Sequence, residues 1–165
     1  LDTRNTSSSG MSHKEVDIFR DTPVRYMGYA NEVGEAFRPI FPRFVVPSYG
    51  LAFLYVGADS LSKTKDTHSR GGSTEVTIGT FVDVLVWQTL ASVLIPGKLI
   101  NMVTAFSTKA VSNSTLPMRS TALARYLPTA IGLACIPLII KPIDAGVDLL
   151  MDSTIRKVVP HDKSE

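Results

Sequence analysis

The chain has 165 residues, 44% of them hydrophobic and 19% charged, and a net charge of +2 at pH 7. That length suits one domain, and so mild a positive balance, without aromatic residues interleaved among basic ones, argues against a nucleic-acid surface. The single cysteine, Cys135, rules out an intrachain disulfide; set in the apolar run TAIGLACIPLII, it reads as a packing residue rather than a reactive thiol.

Residues 1–12, LDTRNTSSSGMS, read as a disordered polar tail. The chain as given opens on Leu1, with Met11 a candidate start, and the tail has the pattern of neither a secretory signal nor a good transit peptide. Residues 13–160 read as a single helical membrane domain and 161–165 as a polar tail. The first helix is expected after Thr22, a capping residue, with Pro23 in the first position and Pro39 ending it. On a helical wheel Tyr26, Tyr29, Ala30, Val33, Gly34 and Phe37 share an apolar face, and Arg25, Asn31, Glu32, Glu35 and Arg38 a polar one. Such a helix lies on a membrane surface, packs on a partner through Ala30-xxx-Gly34, a small-residue pair that admits close approach, or is an ordinary amphipathic core helix.

Residues 40–58 form the first spanning candidate, with Gly50 and Gly57 on one face suited to close packing. The polar stretch Ser60 to Glu75 reads as a solvent-facing loop. Thr77 to Ile95, TIGTFVDVLVWQTLASVLI, carries one charge, Asp83, and no breaker. It is long enough to cross a hydrocarbon core, which takes ~20 apolar residues. Thr80, Asp83, Trp87 and Ala91 align on it as a stripe expected to face protein, and Pro96-Gly97 is expected to stop it. Residues 98–116 form an amphipathic helix suited to the interface. Tyr126 to Ile140, with Pro128 and Pro137, is a third candidate, short for a span and with a re-entrant or buried helix as the alternative; Ala130-xxx-Ala134 again allows close packing. Pro142 is expected to open a last amphipathic helix that Pro160 closes, with Ile143, Val147, Leu150, Met151 and Val158 on its apolar face. The fold class is therefore all-α: a small multi-helix integral membrane protein with about three hydrophobic helices plus amphipathic N-terminal, middle and C-terminal helices. With three spans, the N-terminal part and the 98–125 loop share a side and hold 10 of the 17 Lys and Arg, which favours the matrix or cytoplasmic side for both.

Chemical motifs are scarce. His13, His68 and His161 lie in separate polar segments without metal-ligand spacing, and no phosphate-binding, nucleophile-elbow or zinc-protease motif is present. No catalytic residue, cofactor or metal is assigned. Asp83 stands out, because an acid inside an apolar helix turns inward to a partner; Arg125 and Lys98 are the candidates. Asp144, Asp148 and Asp152 recur along one helix face, either as a solvated stripe or as a docking edge for a basic partner, and Asp152 can pair with Arg156 one turn on.

Three stretches carry a resemblance: RDTPVRYMGYANEVGEAFR (20–38), VDVLVWQTLASVLIPGKLIN (82–101) and IPLIIKPIDAGVDLLMDSTIRK (136–157). In sequence, order and spacing they resemble the mitochondrial fission process protein family, also described as mitochondrial 18 kDa proteins. The resemblance implies a multi-pass mitochondrial inner-membrane protein, linked to fission and inner-membrane organisation, with no known enzymatic activity and no catalytic residue to carry over. The leading expectation is a non-enzymatic protein that acts by packing on other inner-membrane proteins: fission or shaping factors, a nucleotide carrier or respiratory complexes. Lipid is its other partner; neither nucleic acid nor a small-molecule substrate is expected. One alternative is an accessory subunit stably bound to a respiratory, ATP-synthase or nucleotide-carrier assembly. Another, less favoured, is a channel or carrier built around Asp83.

Overall fold

The computed structural model describes residues 23–113 and 121–160. The expected tails 1–12 and 161–165, the Thr22 cap, residues 114–116 of the middle helix, and the side chains of Arg25 and Thr121 lie outside the described residues. A 3-10 run, Pro23–Tyr29, leads into the short helix α1 (Ala30–Ala36). A 3-10 turn, Pro42–Phe44, leads into α2 (Val45–Ser69). Helix α3 (Thr74–Gln88) passes through a π-helical segment, Thr89–Leu94, into α4 (Ile95–Asn113). Helix α5 (Thr121–Ser153) and a 3-10 turn, Ile155–Lys157, complete the chain. Among the described residues there is no strand, and three helical stretches are long and apolar enough to cross a membrane: Pro42–Ser69, Thr74–Asn113 and Ala122–Lys157.

The spans are longer than the sequence suggests, because three expected breaks are absent. Residues 60–69 do not form a loop but extend α2. The Ser60 and Thr64 hydroxyls donate to carbonyls one turn back, and Lys63 pairs with Asp59 on the same face. The helix ends only at Gly71, whose φ of +84° suits glycine; there Gly72 N–H reaches Thr67 O and Gly71 N–H reaches His68 O, the paired bonds of a glycine C-cap. Ser73 then caps α3 by accepting from Val76 N–H.

Pro96 does not stop the second span either. The π-helical segment lies directly before it, and Ile95 N–H reaches back to Leu90 O, five residues away. A wider turn of this kind absorbs the clash between a proline ring and the preceding turn. The expected middle helix is thus the continuation of the second span. Likewise Pro128, Pro137 and Pro142 all lie inside α5, so the short third candidate and the C-terminal helix form one rod and Pro142 opens nothing. Prolines persist in membrane helices because neighbouring helices and local backbone adjustments satisfy the freed carbonyls.

Two apolar clusters join the rods. Ala52, Tyr55 and Val56 of α2 close on Val93, and Ala91 packs on Ile143, Val147 and Met151 of α5. Ile143, Val147 and Met151 are buried as their spacing implies, whereas Leu150 and Val158 are exposed. Helix α1 sits where α2, α4 and α5 meet. It is buried on both faces: Asn31, Glu32 and Glu35 of the polar face are buried along with Gly34 of the apolar one, while Arg38 and Tyr26 are exposed. The water-based rule that polar faces point outward gives way where the surroundings are apolar and polar groups find partners only inside.

Candidate functional site

Polar groups of the bundle gather in three clusters, two of them buried and one that reaches the surface at Asp148 and Asp152. The first ties α3 to the end of α5. Asp83 receives two hydrogen bonds from the Arg156 guanidinium, Nε at 2.8 Å and Nη2 at 3.1 Å, in a fork-to-fork pair. The same guanidinium reaches Asp148 at 3.1 Å and Asp152 at 3.0 Å. The Trp87 indole N–H donates to Asp148 at 2.8 Å. Asp83, Trp87, Asp148 and Asp152, singled out separately in the sequence, therefore converge around one cation. That cation is neither Arg125 nor Lys98, both of which are exposed. Arg156 sits in the turn after α5, where the helix end folds back on α3. Asp144 is half-buried on α5.

The second cluster surrounds α1. Glu35 accepts from Arg38 at 2.6 and 2.7 Å, from the Asn101 amide at 2.8 Å and from the Tyr49 hydroxyl at 3.1 Å, so one carboxylate links α1, α2 and α4. Burial pushes its pKa up, but the bonds from Arg38, Asn101 and Tyr49 outweigh that and hold it below the ordinary value. Asn31 donates to Val93 O at 3.0 Å, a carbonyl of the π-helical segment. Glu32 is 1% exposed, and among the described residues neither of its side-chain oxygens has a hydrogen-bond partner. The third cluster joins α2 to α3: buried Asp59 accepts from Lys63 at 3.2 Å and from Gln88, whose own oxygen accepts from Ser92 at 2.6 Å.

The small-residue positions divide. Gly34 is buried, and an added Cβ would run into Ser48 of α2; Ala30 beside it is half-buried. Gly50 and Gly57 meet nothing within 4 Å of an added Cβ, so the face they share is open within this chain. Ala130 and Ala134 also face outward; Gly132, between them, makes the internal contact with Ala36 and Thr104. An open apolar groove of about 380 Å³ between α4 and α5, lined by Ile95, Leu99, Leu138, Pro142 and Leu150, offers surface but no reactive group. Among the described residues no three His, Cys, Asp or Glu side chains converge as metal ligands.

Sequence reasoning missed Asn31, Glu32, Glu35, Asp59, Lys63, Gln88 and Asn101. A signal for some of them was available: the Asp59–Lys63 spacing places both side chains on one helix face.

The model of the mitochondrial 18 kDa protein family (MTP18) matches residues 16–80 and 63–151, nearly the whole described chain. The chain belongs to that family. It is similar to mitochondrial fission process protein 1 of Danio rerio, at 46% identity over 96% of this chain and 98% of the relative. The protein of that name from Homo sapiens is 49% identical over 88% of this chain and 90% of its own length. The Caenorhabditis elegans one is 48% identical over 86% and 88%. No solved structure matches the chain. The segments 20–38, 82–101 and 136–157 that carry the resemblance hold Asn31, Glu32 and Glu35, Asp83, Trp87 and Gln88, and Asp148, Asp152 and Arg156 respectively, while Tyr49, Asp59 and Lys63 of the clusters lie outside them.

Proposed function

We propose that this protein acts in mitochondrial fission as a non-enzymatic, multi-pass protein of the inner membrane, through packing on other membrane proteins. The relatives' names supply the process. One observation carries the mode of action: the ionisable side chains at depth are occupied inside the bundle or sealed from solvent, while outward faces present glycine, alanine and large apolar residues. Val46, Phe53, Leu54, Phe106 and Leu138 are all exposed. Between helices in lipid, such small and apolar surfaces associate by close packing. Asp83, held on two sides by Arg156, serves as a structural tie in this reading rather than as the moving group of a channel.

Gly50→Leu with Gly57→Leu tests it, because both positions have open space and leucine has the higher helix propensity. The variant is expected to insert and fold like the parent, to lose its high-mass species on native gels after gentle detergent extraction, and to leave mitochondria elongated in cells that lack the native protein. Retention of both the assembly and normal division contradicts packing through this face.

A further inference from the structure

We propose that Glu32 is a proton-binding latch: with its proton it keeps α1 docked against α2, α4 and α5, and loss of that proton releases the helix. The geometry is that of a neutral acid. The side chain is 1% exposed, both oxygens lack partners among the described residues, and the Asn31 side-chain oxygen beside it is also unpartnered. A carboxylate in such a place would hold its charge without hydrogen bonds or a counter-ion, whereas a carboxylic acid avoids that burden.

Among the described side chains no cation around α1 is placed to neutralise it; the 3-10 run Pro23–Tyr29 that packs on α1 brings exposed Tyr26 and half-buried Tyr29, and the side chain of Arg25 lies outside the described residues. On α1 Glu35 is paired with Arg38 of the turn that follows it. From α2 the titratable neighbour is Tyr49, whose hydroxyl is committed to Glu35. Helix α4 brings Asn101, also on Glu35, while its Lys98 is exposed. The π-helical segment has no charged side chain. The part of α5 that meets α1 around Gly132 has none between Tyr126 and Lys141; Cys135 there is half-buried. Burial without compensation, offset only in part by its own backbone N–H, raises the Glu32 pKa from 4.5 to about 8.

The sign follows from linkage. A carboxyl whose docked pKa lies above its released value binds more protons docked than released between those two values, so docking is strongest below about 4.5 and weakens as pH rises towards about 8. Above that the effect levels off. The range includes neutral pH, so the latch responds to modest pH changes. Docking governs more than one short helix, because Asn31 also holds the π-helical segment through Val93 O.

The test uses the full chain in lipid nanodiscs, with Cys135→Ser and spin labels on cysteines replacing exposed Tyr26 and Leu61, which report the distance from the α1 arm to α2. Between pH 6 and pH 9 a longer distance component should grow in the parent protein, by up to tenfold per pH unit. Glu32→Gln, a neutral isostere, should keep the short distance throughout. An infrared band of a protonated carboxyl should be present at pH 7 and absent in Glu32→Gln. An unchanged distance distribution in the parent, a Glu32→Gln variant that still opens with pH, or the lack of that band would each overturn the proposal.

Discussion

Asp83 and Arg156 lie 73 residues apart and meet as a bidentate pair whose side chains are 11% and 21% exposed. A pair so placed contributes chiefly by leaving no charge stranded, so removing one partner costs more than removing both. Asp83→Asn should destabilise the detergent-solubilised protein by about 2–3 kcal/mol, below the full range for a wholly buried pair because both groups keep some solvent contact. Arg156→Gln should do much the same, and the double variant should lose clearly less than the sum. Thermal unfolding of the four proteins checks this; additive losses would mean the two side chains do not act as a pair. Spacing alone marked Asp83, Trp87, Asp148 and Asp152, because an acid in a greasy helix and a repeated turn-spaced acid are visible in one dimension. The partner was not visible. Arg156 also satisfies a local pairing with Asp152, and its long-range contact depends on how α3 and α5 register. Glu32 and Glu35 were hidden differently: a helical wheel says which residues share a face, not whether that face meets protein, water or lipid.

Close approach of whole helices separates the glycines. Gly34 and Gly79 lie against neighbours that a methyl group would strike, Ser48 in one case and the Pro160 backbone in the other; Gly57 lies in open space. Gly34→Ala and Gly79→Ala should each lose about 1–3 kcal/mol through overpacking. Gly57→Ala should be neutral or gain up to about 1 kcal/mol from helix propensity. Denaturation in mixed detergent ranks the three, and Gly34→Ala at parent stability would show that α1 does not seat on α2 as described. For Gly34, Ser48→Gly should restore part of the loss by clearing the colliding hydroxyl. Helix existence was legible from the sequence and helix ends were not. Pro96, Pro128, Pro137 and Pro142 would punctuate a water-exposed helix, but a π turn and packed neighbours carry the rods through them. Ser60 to Ser69 looked like a loop because its residues are polar, yet nothing in it breaks a helix before Gly71.

Across the molecule, the Thr74–Asn113 rod contains 40 residues, on the order of 60 Å at ~1.5 Å each, against ~30 Å of hydrocarbon. It therefore overshoots the lipid core or runs steeply tilted through it. The polar clusters are spread along that length, so the rods are pinned to one another at several levels rather than at one seam. In the three-span arrangement we propose, the α2–α3 turn and the end of α4 at Asn113 lie on opposite sides of the membrane. Labelling with a membrane-impermeant maleimide tests this arrangement directly. In a Cys135→Ser background, single cysteines at the exposed positions Ser69 and Asn113 are probed in intact and in opened mitoplasts. One site should react only from outside and the other only once the inner membrane is breached; reaction of both from the same side would contradict a three-span bundle.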